Sequence, residues 1–316
     1  MTRIYLPPYV TATVILLPVD TINDDIVSLD VDHYRRYTAP LHLVITRREI
    51  IREMIKAKIL MKSEVISSTQ NPIVKRIRSI KTRKGRTRER AFWVEGLAPV
   101  MEAIDAGWEV QTIVRAPDLL RSEEAIRFLD SVDVEERHLS SDVFERISDR
   151  DGPTGLGAIV STRDLGLGAL EVTAETFVTI LVEPQDPGNV GTIIRTSYCA
   201  GASAVVLVGP STDPFDPRSV RASMGSLFRI PVVRERMIPG LVEWASDAGL
   251  GLVGTSARGK SSYRTADYTL PLGIVLGNEQ KGIPEELADA CGSLVSIPIL
   301  GTIRSLNLSA AAAVIL

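Results

Sequence analysis

The chain of 316 residues has few cysteines and few histidines, and it lacks an apolar run long enough to cross a membrane. Its two cysteines, Cys199 and Cys291, cannot form a disulfide framework or a Cys-x-x-Cys metal pair, so we expect reduced thiols. The three histidines show no metal-ligand spacing, and we expect no metal. The apolar stretch at residues 10–19 is interrupted by Pro18 and is too short to span a bilayer. These absences favour a cytoplasmic protein without a membrane segment.

Positive charge is scarce over the whole chain but concentrated in one segment. The formal net charge is −3, from 36 Lys and Arg against 39 Asp and Glu. Residues 75–90, however, carry nine basic residues and one acidic residue, Glu89. A solvated helix can carry such charge, but a local basic patch in an acidic chain is also typical of nucleic-acid binders. The residues that we expect to bind nucleic acid are Lys75, Arg76, Arg83, Lys84 and Arg86.

The order of the predicted strands and helices divides the chain into four parts. Residues 1–62 contain no recognisable site, and we expect a chain that starts at Met61 to fold without them. Residues 63–160 predict a small α/β unit, and a Gly- and Leu-rich linker follows over 161–176. From residue 177 to residue 316, strands alternate with helices, which predicts a parallel sheet with helices on both faces.

One motif has the complete pattern of a phosphate-binding loop. Residues 254–261, GTSARGKS, match G-x-x-x-x-G-K-[ST] and follow a predicted strand. A P-loop leads directly into a helix whose N-terminus holds the phosphates. Here residues 262–271 are rich in β-branched residues and end in a proline, which predicts no helix. An NTPase is therefore an alternative that the pattern does not favour.

Three polar segments follow predicted strands of the last domain, and ligands of open α/β sheets bind at such strand ends. They are residues 183–195, EPQDPGNVGTIIR, residues 274–284, IVLGNEQKGIP, and residues 297–309, IPILGTIRSLNLS. Taken singly, Asn189 is a candidate helix N-cap and Glu279 a helix-entry carboxylate. Together the segments predict a cleft with many backbone donors and few charges, which suits a neutral heterocycle and a small polar reaction centre.

In this order and at this spacing, the three segments resemble the signature motifs of the SpoU (TrmH) family of RNA ribose methyltransferases, within the SPOUT superfamily. The resemblance covers residues 63–316, and residues 66–75, ISSTQNPIVK, are typical of the family's N-terminal part. It implies an α/β substrate-binding domain that resembles a ribosomal protein, followed by a SPOUT domain with a deep trefoil knot. The general rules for open sheets would not predict a knot.

The resemblance also implies a reaction and its residues. A methyl group would pass from S-adenosylmethionine to a ribose 2′-hydroxyl of RNA. The positions that match cofactor contacts, largely through backbone groups, are Gly277, Ile297 and Leu306. The positions that match the reaction centre are Asn189, Arg195, Glu279, Ser305 and Asn307. Since arginine stays protonated, we expect Arg195 to grip a phosphate and stabilise the developing alkoxide.

The substrate and the assembly are expectations of the same kind. Ribosomal RNA is preferred over transfer RNA, because the N-terminal domain resembles that of ribosomal RNA modifiers; a transfer RNA methyltransferase stays open as the alternative. A non-catalytic RNA-binding protein would lack a motif residue, and none is missing. The uncharged apolar helix over residues 306–316 predicts a homodimer through the knotted domain.

Overall fold

The computed structural model describes residues 65–316 except 258, 260 and 303–305, together with two short strands that precede them. Those strands, β1 (Val27–Ser28) and β2 (Val44–Ile45), pair antiparallel and belong to a separate unit, Met1–Glu64. The predicted alternative start at residue 61 lies outside the described residues. Within the described residues, no helix is long and apolar enough to cross a membrane.

The four-stranded domain, residues 65–161, contains the predicted α/β unit. Its elements are α1 (Pro72–Ile80), α2 (Arg83–Glu89), β3 (Ala91–Glu95), α3 (Leu97–Asp105), β4 (Val110–Arg115), α4 (Glu123–Asp130), β5 (Glu136–His138), α5 (Ser141–Ile147) and β6 (Leu156–Ser161). The sheet has the order β3-β6-β4-β5, in which β6 is antiparallel to both neighbours and β4 is parallel to β5. Side-chain oxygens of Ser122 and Ser140 accept from backbone N–H groups and begin α4 and α5, as serine N-caps do.

The seven-stranded domain, residues 162–316, contains the predicted parallel sheet. Its elements are β7 (Phe177–Val182), α6 (Pro187–Cys199), β8 (Ala204–Val208), α7 (Pro217–Ala222), β9 (Val232–Glu235), α8 (Ile238–Asp247), β10 (Gly251–Thr255), β11 (Ser261–Ser262), β12 (Leu272–Leu276), α9 (Glu285–Ala290), β13 (Ser293–Ser296) and α10 (Leu308–Ile315).

All neighbouring strands of this sheet are parallel, in the order β11-β13-β10-β12-β7-β8-β9. The central strands are near-continuous apolar runs, and every residue of β8 and β12 is buried. Such runs are expected where helices cover both faces of a sheet. The predicted α/β fold class is confirmed, whereas the trefoil knot stays a prediction.

One apolar core continues from the four-stranded to the seven-stranded domain. The ring of Phe92 lies 4.8 Å from that of Phe215, and the ring of Trp108 lies 5.3 Å from that of Phe228. The indole N–H of Trp108 also donates to the carbonyl of Phe228 at 3.0 Å. Because buried aromatic rings dominate core energetics, this junction fixes the position of one domain on the other.

Candidate active site

The first polar segment turns from β7 into α6, and the helix begins earlier than the sequence indicated. Pro187 is its first residue, and the carboxylate of Asp186 accepts from the backbone N–H of Asn189 at 2.9 Å. Asp186, and not Asn189, is therefore the N-cap. The side-chain amide of Asn189 is free of the capping role and is available at the end of the sheet.

The three polar segments meet at the side chain of Asn189. Its Nδ2 donates to Oε1 of Glu279 at 3.4 Å, and its Oδ1 accepts from Nδ2 of Asn307 at 3.0 Å. Along the chain, Glu279 is 90 residues and Asn307 is 118 residues from Asn189. The structure thus brings together three of the five residues that the resemblance assigned to the reaction centre. We name these three residues the Asn–Glu–Asn cluster.

Asn307 holds its place in this cluster because it is also the N-cap of α10. Its Oδ1 accepts from the backbone N–H groups of Ser309 at 2.9 Å and Ala310 at 3.3 Å. This bonding leaves Nδ2 to point at Asn189. Ser305, which the resemblance also assigned to the reaction centre, lies outside the described residues. Its assigned place in the reaction centre stays a prediction.

Asn278 is a positioning residue that sequence reasoning missed. Its side chain is buried, and its Nδ2 donates to the carbonyl of Glu183 at 2.8 Å, which ties the second segment to the first. Its Oδ1 accepts from the backbone N–H groups of Gln280 and Lys281, at 2.9 and 3.0 Å. The signal was present, since an Asn that follows a strand and a Gly is typical of a turn closed by its own side chain.

A cavity of about 510 Å³ opens beside Glu279 at the carboxyl ends of β10, β12 and β13. All three predicted cofactor residues, Gly277, Ile297 and Leu306, line it. Its size lies in the range of small-molecule sites. Leu306 and Ile299 are 46% and 37% exposed, so a ligand seated here would remove apolar surface from water. The residues present fit a nucleoside-sized ligand with an apolar body.

Gly277 allows a tight turn in the loop that follows β12. The resemblance assigns the backbone of this residue to cofactor contact, and that role stays a prediction. In the structure, a Cβ at this position would lie 2.5 Å from the carbonyl carbon of Gly282 and 2.7 Å from the nitrogen of Ile283. The glycine therefore allows the loop after β12 to close on itself, and it shapes the cavity wall through that loop.

Arg195 lies apart from the Asn–Glu–Asn cluster. It is the ninth residue of α6 and so belongs to the third turn of that helix. Six residues of helix place it about 9 Å along the axis from Asn189. Its side chain is exposed and makes no ion pair with any residue that the structure describes. A guanidinium in this state is available to an external phosphate, and its assigned role stays a prediction.

The basic segment at residues 75–90 contains exposed cations and one half-buried ion pair. Lys75, Arg83 and Lys84 are exposed and remain predicted RNA contacts. The Nε of Arg76 donates to Oε2 of Glu89 at 3.1 Å, and one third of the Arg76 side chain is still exposed. Arg76 is thus partly committed to the protein, and its contact with RNA also stays a prediction.

Arg86 is buried, contrary to the prediction that it binds RNA. Only 3% of its surface is exposed, and its Nε lies 2.6 Å from Oδ2 of Asp213 in the seven-stranded domain. Its Nη1 also donates to the carbonyls of Ile80 and Lys81. Burial raises the pKa of Asp213, but Arg86 and Arg234 outweigh it and hold that pKa below its ordinary value. Arg86 therefore joins the two domains and offers no surface to RNA.

The P-loop-like segment contributes to the same cavity and does not precede a helix. Residues 261–262 form β11, so the loop leads into a strand; the sequence predicted that no helix follows it. Thr255, Ser256 and Ala257 line the cavity of the predicted cofactor site. Lys260 lies outside the described residues. Among the residues that are described, no cluster of three His, Cys, Asp or Glu is placed to hold a metal ion.

Comparisons with known proteins agree with this geometry. Residues 176–316 match the model of the SpoU rRNA Methylase family, and residues 71–158 match the MRM3-like substrate binding domain. The chain is 32% identical to a 23S rRNA (uridine(2479)-2′-O)-methyltransferase of Streptomyces viridochromogenes, over 74% of this chain and 84% of that protein. It is 30% identical to the 23S rRNA (guanosine(2553)-2′-O)-methyltransferase RlmP of Bacillus subtilis, over 79% and 96%. A solved rRNA methyltransferase from Sinorhizobium meliloti with bound AdoMet superposes with a TM-score of 0.73 at 38% identity, over 80% and 95% of the two chains.

Proposed function

The chain belongs to the SpoU family of rRNA methylases, and we propose that it transfers a methyl group from S-adenosylmethionine to a ribose 2′-hydroxyl of ribosomal RNA. The observation that carries the proposal is the Asn–Glu–Asn cluster at the rim of the cavity lined by Gly277, Ile297 and Leu306. It combines a cavity that has both apolar and polar lining residues with a three-residue polar cluster in which Glu279 is the charged member. Such a centre suits a reaction at a neutral hydroxyl.

The cavity would hold the cofactor through residues of three strand ends. Gly277 follows β12, Ile297 follows β13, and Leu306 precedes α10. When bound, S-adenosylmethionine supplies a methyl group that its sulfonium already activates. The protein therefore has no electrophile to make; it must hold the ribose oxygen in line with the methyl carbon and sulfur.

The chain's own residues would orient the ribose and accommodate its charge. Glu279 accepts from Asn189, which in turn accepts from Asn307, so both amides are fixed before RNA arrives. These residues would hold the ribose hydroxyl against the methyl group that the cofactor supplies, and the hydroxyl proton would pass to a phosphate oxygen or water. Arg195 would grip a phosphate beside the target and stabilise the developing alkoxide.

The proposed role of Arg195 has a direct kinetic test. Arg195→Ala should slow single-turnover methyl transfer by roughly 100-fold or more, by analogy with the loss of one transition-state donor. Arg195→Lys should rescue poorly, because an ammonium lacks the planar fork of a guanidinium. Cofactor affinity should be unchanged in both. A wild-type rate for Arg195→Ala under saturating cofactor and RNA would remove this residue from the mechanism.

We further propose that two copies pair through α10 and its neighbour α6. Val314 on α10 and Tyr198 on α6 are 41% and 44% exposed, and the two helices pack together. Residues 310–316 contain no charge, so this face is an exposed apolar patch that a second copy would bury. Light scattering at micromolar concentration should give twice the chain mass of 34.4 kDa. A monomer mass would contradict the proposal.

Ribosomal RNA is the substrate that the comparisons favour. The substrate-binding model matches residues 71–158, and both curated relatives described above have 23S rRNA names. A cytoplasmic location would follow from that substrate. The test incubates the protein with tritium-labelled S-adenosylmethionine and either ribosomal or transfer RNA. Label should enter ribosomal RNA; label in transfer RNA alone would contradict the substrate, and label in neither would contradict the function.

A further inference from the structure

A second and larger cleft, of about 750 Å³, lies between the two domains and is rich in arginine. It is lined by six arginines and no lysine: Arg83, Arg86, Arg90, Arg163, Arg234 and Arg236. Three carboxylates oppose them: Asp164, Asp213 and Glu235. The lining is therefore positive by three charges, whereas the whole chain has a net charge of −3. Neither the P-loop pattern nor the three signature segments account for this cleft.

The arginines of the cleft divide into those committed to the protein and those available to a ligand. Arg86 and Arg234 both pair with Asp213. Arg83, Arg90 and Arg236 are exposed, and within the described part of the chain none of the three forms an ion pair. Arg163 forms no ion pair with a described residue either, but it donates to the carbonyl of Gly107 at 2.7 Å and lies over the ring of Trp108. Three guanidiniums thus remain available to a ligand. A concave site concentrates their field more than a flat surface would.

The available arginines come from both domains. Arg83 is the first residue of α2 and Arg90 follows its end in the four-stranded domain, whereas Arg236 follows β9 in the seven-stranded domain. The buried pair of Arg86 with Asp213 lies in the same wall and fixes the distance between the two sets. The cleft is consequently a built feature of the docked domains and does not belong to either one alone.

The cleft also lies at the same sheet edge as the Asn–Glu–Asn cluster. The loop after β8 forms one wall, and it contacts the loop after β7: Thr212 N–H donates to the carbonyl of Pro184 at 2.9 Å, and Gln185 Nε2 donates to that of Pro210 at 3.2 Å. β9, which borders the cleft, and β12, which leads to Glu279, are separated by three strand spacings, or about 14 Å. That distance equals about four nucleotides of a stacked strand.

We propose that this interdomain cleft binds the phosphodiester backbone of the RNA a few nucleotides from the methylated ribose, through Arg83, Arg90 and Arg236. The inference rests on the proposed function. Arginine is the side chain whose planar fork matches phosphate oxygens in bidentate fashion. The cleft gives an acidic chain a local anion site that leads to its reaction centre.

The test compares two variants of the full chain that lose the same charge. One carries Arg83→Gln, Arg90→Gln and Arg236→Gln. The matched control carries Arg121→Gln, Arg127→Gln and Arg146→Gln, which are exposed arginines of the four-stranded domain that do not line the cleft. Binding of a fluorescent large-subunit ribosomal RNA transcript is measured over a range of salt concentrations, and S-adenosylhomocysteine binding is measured by calorimetry.

The cleft variant should bind RNA more weakly, and its plot of log affinity against log salt should be shallower by about 2, the value for three lost phosphate contacts on a single strand. The control should keep the wild-type slope, and both should bind S-adenosylhomocysteine normally. A wild-type slope in the cleft variant, while the wild-type protein methylates this RNA, would overturn the cleft proposal alone. Failure of the wild-type protein to methylate any ribosomal RNA would overturn the proposed function as well.

Discussion

Replacement of Arg86 by methionine should destabilise the folded chain by about 3 kcal/mol, at the lower end of the 3–5 kcal/mol for a broken buried ion pair. Arg86 is 3% exposed, and its guanidinium forms an ion pair with Asp213 and donates hydrogen bonds to two backbone carbonyls. Methionine fills much of the volume but donates nothing, so Asp213 loses its closest buried partner. Arg234 still pairs with that carboxylate, which is why the lower end of the range applies.

A double-mutant cycle separates the pair from the rest of the junction. Asp213→Asn should be destabilising by itself, and the double variant should be more stable than the sum of the two single losses predicts, by about 0.5–3 kcal/mol. Arg83→Met is the matched control, since Arg83 lies in the same helix but is exposed. Its effect should stay within about 0.5 kcal/mol.

The same ion pair predicts how stability changes with pH. The pKa of Asp213 is lowered in the folded protein relative to its ordinary value. The unfolded chain therefore binds this proton at higher pH, so the contribution of Asp213 is complete above the ordinary pKa of about 3.9 and is lost as the pH falls through the folded pKa. Asp213→Asn should remove this part of the fall in the free energy of unfolding at acid pH. The same variant should have a lower free energy of unfolding at neutral pH.

Urea unfolding followed by tryptophan fluorescence is the assay, because Trp108 lies in the domain junction and reports its opening. If the two single variants lose free energies of unfolding that sum to the loss of the double variant within about 0.5 kcal/mol, the two side chains do not act as a pair. An Arg86→Met loss no larger than that of Arg83→Met would refute the reasoning outright, since it would mean that Arg86 is not buried in solution.

Three further predictions follow from the site and the thiols. Gly277→Ala should weaken S-adenosylhomocysteine binding by tenfold or more, or ~1.4 kcal/mol, with unchanged circular dichroism, because its Cβ meets the following turn; unchanged affinity in calorimetry would contradict this. Asn307→Ser should keep the helix cap but lose the bond to Asn189, so the melting temperature should hold while the rate of methyl transfer falls. If Asn307→Ser and Asn307→Ala both lower the melting temperature equally and neither lowers the rate, Asn307 does not position Asn189. Burial raises the pKa of Cys291 to about 11, so iodoacetamide at pH 8 should label Cys199 first by mass spectrometry, and the reverse order would disprove the burial.

Local sequence signals predicted most of the fold. The alternation of predicted strands with helices after residue 177 indicated the parallel sheet that the structure shows. The three polar segments also predicted one cleft, because parallel strands present their carboxyl ends at the same end of the sheet. The family resemblance then assigned Asn189, Glu279 and Asn307 to the reaction centre of that cleft. These predictions required no knowledge of side-chain partners.

Sequence signals did not reveal which groups a given residue contacts, whether the partner is distant or nearby in the chain. Arg86 was expected among exposed cations, but its carboxylate partner is 127 residues further along. The sequence also carried no sign that a Cβ on Gly277 would meet the backbone of Gly282 and Ile283. Capping depends on which of several nearby polar residues has the right backbone angles, and Asp186 and not Asn189 meets that condition. Composition and periodicity carry no information on any of these three contacts.

The most direct measurement of the central claim is the chemical position of the transferred methyl group. Ribosomal RNA is incubated with the protein and isotope-labelled S-adenosylmethionine, digested to nucleosides, and analysed by mass spectrometry. The account predicts a labelled 2′-O-methylribonucleoside, absent when Asn189→Ala replaces the wild-type protein. A label on a nucleobase, or a ribose label that Asn189→Ala leaves at the wild-type level, would contradict the account.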